Sequence, residues 1–413
     1  MTVPKLRLAG FKEPWSPKRL GQTGHILQER TSDFARYPLY SLTIEKGVTK
    51  KTERYERGFL VSKTGDIFKI VHPGNFVTNP MNLRFGAVGY SKEKDDVSVS
   101  GYYDVFELDD NKCSPFWFNF LKREGMKKRY EDIATGSLIE KKRVHVNDLL
   151  NLELPIPELD ERKSLGEYLT SLDRLIDAEV SRLESLRMLK SACLEKMFVH
   201  DGEKCPQLRL EGFKGEWERK TFGECFAFLS NNSFSRNMLI DKGEVVDIHY
   251  GDVLVRFDEY LNIVETRLPA LNVGGKRIGD YLQNGDIVFA DTAEDTAAGK
   301  CCEIADVGDI NVVSGLHTIP CRPLNEFGRA YLGYYLNSPA FHDQLLPLMQ
   351  GTKVTGISKE YLKTVSIVFP QTIAEQVAIG QYFLGLTDSM KFQINKLSKL
   401  RCLKSAFMER MFV

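Results

Sequence analysis

Leu169, Leu172, Ile176, Leu183, Leu186, Cys193 and Met197 succeed one another in steps of three and four residues, the a/d spacing of a helix that packs on another helix. A second run, Phe383, Leu386, Met390, Leu397, Leu400, Phe407 and Met411, repeats the first 214 positions later. Polar residues interrupt both seams at matching places, Glu179 with Gln393 and Lys190 with Lys404. Such positions favour one register at some cost in stability. The spacing predicts two long helices, over 157–199 and 371–413. At 1.5 Å per residue each is about 60 Å long, which overhangs a 150-residue domain and favours a coiled coil over a helix lying on its own sheet. Leu165, Tyr168, Leu175 and Leu189 widen the first apolar stripe, which suggests more than one helical partner.

Elsewhere the apolar positions alternate over short stretches bounded by glycine or proline, the pattern of strands and turns. Leu154-Pro155-Ile156-Pro157 and Ile367-Val368-Phe369-Pro370 each read as a strand end followed by a proline that starts a long helix. Gly136-Ser137 leads to an apolar alternation over Val144–Leu149, and Gly351-Thr352 leads to one over Val354–Leu362. Gly58–Ser62, Gly251–Val255 and Gly285–Ala290 read as further strands, and Tyr331–Leu336 as a helix.

The openings of the two halves also match. Pro4-Lys5-Leu6-Arg7-Leu8-Ala9-Gly10-Phe11 with Trp15 returns 202 positions later as Pro206-Gln207-Leu208-Arg209-Leu210-Glu211-Gly212-Phe213 with Trp217. A period near two hundred residues is far beyond a solenoid unit of roughly 20–50 residues, so each half needs its own core. The expected fold is α+β. Two similar, mainly β domains with short helices are each followed by a long helix, and the two helices form a coiled coil. The boundaries are 1–156 for the first domain, 157–199 for its helix, 200–205 for a linker, 206–370 for the second domain and 371–413 for its helix.

The 413 residues carry 56 basic and 56 acidic side chains, but the balance is uneven along the chain. Residues 1–150 carry a net charge of +7 and residues 151–200 of −3, whereas 201–370 carry −7 and 371–413 carry +3. Phosphate neutralisation supplies most non-specific affinity for nucleic acid, so only the first domain leans that way. Any DNA contact in the second half must be locally clustered or shared with a partner. No window reaches the ~20 apolar residues of a membrane span, and a cytoplasmic location is expected. The eight cysteines lack metal-ligand or disulfide-frame spacing and read as structural thiols.

The doubled order of Leu6-Arg7, Gly10-Phe11 and Trp15 with Leu208-Arg209, Gly212-Phe213 and Trp217 resembles the specificity subunit of type I restriction–modification enzymes. The resemblance continues through Gly351-Thr352, Ile357-Ser358, Glu375-Gln376, Ile379-Gly380 and the helix from Leu397, and so spans the chain. It implies two target-recognition domains, each reading one half of a split asymmetric site in double-stranded DNA, joined by the two long antiparallel helices as a pseudo-twofold coiled-coil spacer. It also implies docking of two methyltransferase subunits that methylate adenine with S-adenosylmethionine, and of two motor-nuclease subunits that use ATP and Mg. The chain itself would hold no cofactor or metal, and no membrane is involved. Two departures stand out: Glu161-Arg162 replaces Glu-Gln in the first helix, and Gly136-Ser137 lacks the fuller glycine loop.

Catalytic motifs do not emerge. Asn79-Pro80-Met81-Asn82 lacks the second proline and the aromatic of an adenine methyltransferase grip, and Phe85-Gly86-Ala87-Val88-Gly89 has an incomplete cofactor-loop spacing. No phosphate loop appears, and Asp291, Glu294, Asp295 and Lys300 read as a solvated loop. A non-catalytic specificity module is therefore favoured over a self-contained DNA-modifying enzyme. The other competing reading is a protein–protein adaptor with two paired binding domains.

Base edges are read by Arg and Lys on guanine and by Asn and Gln on adenine. Candidates in the first domain are Lys50, Lys51, Arg54, Tyr55 and Arg57, then Tyr90 and Lys92, then Lys127, Lys128, Arg129 and Tyr130. Lys141, Lys142 and Arg143 suit phosphate contacts, which position a protein without carrying sequence information. Candidates in the second domain are Asn231, Asn232, Ser233, Arg236, Lys276, Arg277, Thr352 and Lys353.

Overall fold

Pro157 and Pro370 stand just ahead of helices Leu159–Lys196 and Ile373–Met411, where a missing N–H costs nothing. These bounds come from a computed structural model that describes residues 3–44, 47–50, 67–138, 141–273, 278–351 and 354–412. The chain divides into two compact units, residues 1–180 with 395–413 and residues 181–394, so each unit takes part of both long helices.

In the first unit, strand Ser16–Arg19 pairs antiparallel with Glu153–Ile156, the strand that leads into the first long helix, with Ser16 opposite Ile156. A four-stranded antiparallel sheet runs in the order Gly24–Leu27, Asp104–Leu108, Phe76–Thr78 and Val88–Tyr90. A three-stranded sheet of Arg30–Thr31, Phe68–Val71 and Val97–Val99 and a pair of antiparallel strands, Tyr40–Thr43 with Gly47–Lys50, complete the β structure among the described residues. Helix Ser114–Lys122 supplies Phe116, Trp117 and Phe120 to a core that also takes Trp15, Leu165, Leu169, Met411 and Phe412.

The second unit repeats the opening arrangement. Glu218–Thr221 pairs antiparallel with Ser366–Phe369, with Glu218 opposite Phe369. Its interior differs. A five-stranded sheet runs Phe226–Phe228, Thr318–Pro323, Ile287–Ala290, Cys301–Ala305 and Tyr260–Asn262, the last pair parallel. A four-stranded sheet runs Leu239–Ile240, Ala270–Leu271, Val245–Ile248 and Asn311–Ser314. Phe198, at the end of the first long helix, stacks on Phe383 and enters a core with Trp217, Tyr331 and Tyr335. Phe412, its counterpart 214 residues on, does the same in the first unit against Trp15, Phe116 and Phe120.

The helical seams are as the spacing predicts. Every seam residue of both runs is buried or half-buried, with Leu169 and Phe383 fully so. In the first unit Lys404 Nζ meets Asp173 Oδ1 at 2.5 Å and Lys396 meets Glu179, so the numbering falls on one helix as it rises on the other and the segments run antiparallel. Polar seam positions thus find opposite charges. Of the residues that widen the stripe, Leu165 is buried and Tyr168 packs on Phe407, but Leu175 and Leu189 stay exposed.

Three strand expectations are corrected. Val146–Leu150 is a short helix whose Val146, Leu149 and Leu150 all face the core, a three- and four-residue spacing hidden inside the alternation. Gly251–Val255 belongs to helix Tyr250–Val255, started by the His249 side chain, which accepts from Gly251 N. The Val354–Leu362 alternation breaks into strand Thr355–Gly356 and helix Lys359–Thr364, capped by Ser358 accepting from Tyr361 N. Strand Ile287–Ala290 and helix Tyr331–Leu336 agree with the sequence reading, and Gly58–Ser62 lies outside the described residues.

Candidate DNA-recognition surface and its frame

The repeated motifs meet at one joint in each unit. Arg7 Nε and Nη2 donate to the two carboxylate oxygens of Glu161, both at 2.7 Å. Arg209 does the same to Glu375, both at 2.8 Å. Each arginine also donates to a backbone carbonyl six residues ahead, at Glu13 and Gly215. A bidentate, charge-assisted fork of this kind fixes orientation as well as adding energy. The opening segments continue onto the helix ends: Leu6 N donates to Arg410 O at 3.0 Å, and Leu208 N to Lys196 O at 2.8 Å.

The following motif position shows how a departure is accommodated. Gln376 accepts from Gly328 N at 2.7 Å and donates to Pro370 O at 2.8 Å. Arg162, its counterpart, donates to Pro157 O and forks onto Asp109 at 2.7 and 2.8 Å. Asp109 also accepts from the Trp117 indole N–H at 2.7 Å. Beyond these pairs the helices come close to their domains. A Cβ on Gly380 would lie 2.2 Å from Arg329 O, and one on Gly166, the matching position, 3.1 Å from Phe116 N. That close approach explains the glycine in Ile379-Gly380.

In the first unit the sequence candidates fall into two groups. Lys50 is exposed at the end of its strand, which packs on Val88–Tyr90. Tyr90 is half-buried against Phe76 and Phe118, and the Lys92 ammonium lies 5.8 Å from both the Tyr90 and Phe118 rings. Lys122, which carried no sequence signal, lies 4.9 Å from the Phe118 ring and joins this cationic–aromatic patch. The second group centres on Glu131, where Arg84 and Lys142 bind at 2.8 and 2.9 Å, with Lys141 and Arg143 exposed beside it in sequence and Arg143 over the Tyr102 ring. Hydrogen bonding from Lys142 holds the Glu131 carboxyl below its ordinary pKa.

The 127–130 string does not form one face. Lys127 pairs with Glu124 at 2.7 Å, and Lys128 and Arg129 are exposed. Tyr130 is fully buried with its hydroxyl donating to Leu121 O at 2.8 Å, so the structure withdraws it from the surface. Lys51, Arg54, Tyr55 and Arg57 lie outside the described residues, as do Lys276, Arg277, Thr352 and Lys353.

In the second unit Asn231, Asn232, Ser233 and Arg236 share one corner but not one role. Asn232 is 4 % exposed, donates to Asp247 Oδ1 at 2.7 Å and accepts from Phe234 N, so it braces the turn and cannot reach a base. Burial pushes the Asp247 carboxyl up to about 6. Asn231 donates to Gly315 O at 3.2 Å, whereas Ser233 and Arg236 are exposed. The Arg236 guanidinium has only long contacts, 3.5 Å to His249 Nδ1 and 3.5 Å to Asp252. Tyr250 and His317 close the corner with ring centroids 5.4 Å apart, and His317 Nδ1 sits 3.4 Å from Asp291. Nothing in the spacing of Tyr250 and His317 singles them out, because the fold alone brings them together.

Among the described residues no group of three or more His, Cys, Asp or Glu side chains could hold a metal ion, and no helix is long and apolar enough to cross a membrane. All eight cysteines are free thiols, six of them buried.

Comparison with known proteins gives this geometry a family. Residues 12–188 match the family described as type I restriction modification DNA specificity domain. The chain is 23 % identical over 269 residues to the type I restriction enzyme MjaVIII specificity subunit of Methanocaldococcus jannaschii, covering 60 % of each protein. It is 21 % identical over 313 residues to the MjaX specificity subunit of the same organism, covering 72 % of this chain and 67 % of that one. The fold is similar to the type I restriction–modification S subunit of M. genitalium, with a TM-score of 0.57 and 14 % identity over 100 % of this chain and 99 % of that one. A chain from a structure of type I R-M complex assembly and conformational transition aligns with a TM-score of 0.54 and 16 % identity, over 97 % and 98 % of the two chains. With the doubled opening segments and paired long helices already in place, residues 12–188 carry a type I restriction modification DNA specificity domain, and the chain is similar over most of its length to type I specificity subunits.

Proposed function

We propose that the chain is the DNA sequence-recognition subunit of a type I restriction–modification enzyme and is itself non-catalytic. Residues 1–156 and 206–370 each read one half of a bipartite, asymmetric site in double-stranded DNA. The long helices hold the two readers at a set spacing and dock two methyltransferase subunits. S-adenosylmethionine would sit on those subunits, and ATP with Mg on two motor-nuclease subunits of the full complex. The observation that carries this reading is the doubled joint, Arg7–Glu161 and Arg209–Glu375, which mounts two different β interiors on one helical frame.

Side chains at the reading surfaces would be Lys92 and Lys122 around Phe118, and Lys50, in the first unit, with Lys141, Lys142 and Arg143 on phosphate. In the second they would be Asn231, Ser233, Arg236, Tyr250 and His317. Partner docking is supported by apolar side chains left on the helices. Leu189 and Leu403, equivalent in the repeat, are each 44 % exposed, and Met188 and Phe392 are more so. The test is a methylome of cells carrying the methyltransferase partner with and without this chain. Adenine methylation at one split site should appear only when both are present. Methyl transfer by the purified chain alone, or an unchanged pattern without it, would overturn the proposal.

A further inference from the structure

Lys190 and Lys404 occupy the same seam position in the two repeats but face different partners. Lys404 stays within the helix pair, on Asp173. Lys190 leaves it and donates to both carboxylate oxygens of Glu259, at 2.9 and 2.8 Å, in a contact where the two side chains are only 12 % and 17 % exposed. Its ammonium also lies 5.2 Å from the ring of Tyr334, whose hydroxyl is 3.0 Å from Thr387 on the second helix. The preceding residue, Asp258, pairs with Lys391 of that same helix at 2.6 Å. Consecutive carboxylates of one turn are therefore gripped by the two long helices, one each.

The gripped turn is rigidly tied to the domain behind it. Glu259 O accepts from Glu303 N at 2.9 Å, on strand Cys301–Ala305 of the five-stranded sheet. A Cβ on Gly333 would fall 2.1 Å from Glu259 O, so helix Tyr331–Leu336 leaves the turn no room to shift. The Glu303 carboxylate accepts from Ala330 N and Gly333 N and locks that helix in turn. Arg209–Glu375 attaches the same domain elsewhere on the second helix. Glu375 and Lys391 are sixteen residues apart, about 24 Å along the axis at 1.5 Å per residue. One attachment leaves a body free to rock, whereas two separated attachments fix its angle.

We propose that Asp258-Glu259 with Lys391 and Lys190 form a positioning clamp that holds the second domain at one angle on the helices and thereby sets how strictly the spacer of a bipartite DNA site is discriminated. The inference rests on the reading of the chain as a two-reader specificity subunit. Two linked readers gain from each other only when the link suits the separation of their targets. One base pair more or less shifts a half-site by about 3.4 Å and turns it by roughly a tenth of a helical turn. A stiff mount penalises that change, whereas a rocking mount tolerates part of it. The clamp residues touch no base, so they should alter spacing preference and leave base preference alone.

The experiment uses the full chain with its methyltransferase partner and duplexes that carry the native half-sites with spacers changed by one and two base pairs. In the Asp258→Asn/Glu259→Gln variant, the ratio of methylation at the native spacer to that at a one-base-pair change should fall about threefold to tenfold, the scale set by loosening a tether. The half-site sequences should not change. Lys190→Gln, the second variant should the first fail to fold, should lower the ratio in the same direction. The charge-exchanged pair Lys190→Glu/Glu259→Lys should recover it. A merely structural role would depress methylation equally at all spacers, and an unchanged ratio in a folded variant overturns the clamp. Failure of the two-reader reading looks different, since the native chain would then show no preferred spacer at all.

Discussion

Asp109→Ala should be the most damaging single change in the first unit, because of what it leaves behind. The Arg162 guanidinium and the Asp109 carboxylate are each 7 % exposed. Removing one partner of such a pair costs about 3–5 kcal/mol, since the other charge stays buried and unpaired. The Trp117 N–H also loses its acceptor, worth about 1–3 kcal/mol on its own and partly overlapping with the first loss. A total near 4–5 kcal/mol is expected. In a unit of roughly 200 residues each kcal/mol moves the midpoint by about 2–4 °C, so its calorimetric transition should fall by about 8–20 °C. The second unit shows the remedy. There glycine and glutamine do the same work, Gly328 N donating to Gln376. Asp109→Gly/Arg162→Gln removes the abandoned charge and lets the glutamine donate to Pro157 O as Gln376 does to Pro370 O, and glycine also suits the positive φ of 54° at this position. At least half of the lost stability should return, the remainder being the orphaned indole. If the double variant is no more stable than Asp109→Ala, the abandoned charge is not the source of the loss.

Two further outcomes follow from the same geometry. Burial holds Asp247 protonated up to about pH 6, whereas an unfolded aspartate ionises near 3.9; the folded chain binds the extra proton, so stability falls as pH rises from about 4 through about 6. Asp247→Asn keeps an acceptor for Asn232 and should gain about 1–3 kcal/mol at pH 8 with no gain at pH 4; an unchanged pH slope in urea unfolding would refute this. Circular permutation should also be tolerated: Leu6 meets Arg410 as Leu208 meets Lys196, but twelve residues separate the latter pair and only nine would separate the former after head-to-tail joining. Joining through three added residues and opening within 200–206 should preserve DNA specificity, and loss of folding by circular dichroism would count against the equivalence of the two junctions.

What was legible in the sequence is what the frame demands. The seam from Leu169 to Met411 could be read because a helix pair needs apolar residues at fixed steps, and the opening motifs because one joint is built twice. Their purpose was not legible. Nothing in the spacing of Arg7 and Glu161 says that they touch, since 154 positions separate them. The interiors were harder for a different reason. Val146–Leu150 and Tyr250–Val255 are single turns or little more, too short for a helical period to stand out from alternation, and the second starts on a cap from the His249 side chain. The proposed reading-surface residues were legible by charge alone. Lys92 and Arg236 could be nominated, Asn232 and Tyr130 were nominated for chemistry that burial puts to structural use, and Lys122, Tyr250 and His317 had no local signal.

Arg162 shows why the joints and the exposed surfaces are constrained differently. A change at a joint must be matched at once by its buried partner, as Arg162 is by Asp109, or several kcal/mol are lost. A change at one joint residue therefore calls for a matching change in its partner, and within this chain Arg7–Glu161 matches Arg209–Glu375. An exposed side chain such as Arg236, held only by contacts at 3.5 Å, carries no such constraint. Replacing it alters what the surface can bind while the fold stays within a fraction of a kcal/mol, the usual cost of a surface change. Two interiors with different sheets on one repeated pair of helices fit that asymmetry of cost, and under the proposed two-reader function it is the arrangement that new DNA specificities on a constant mount would require.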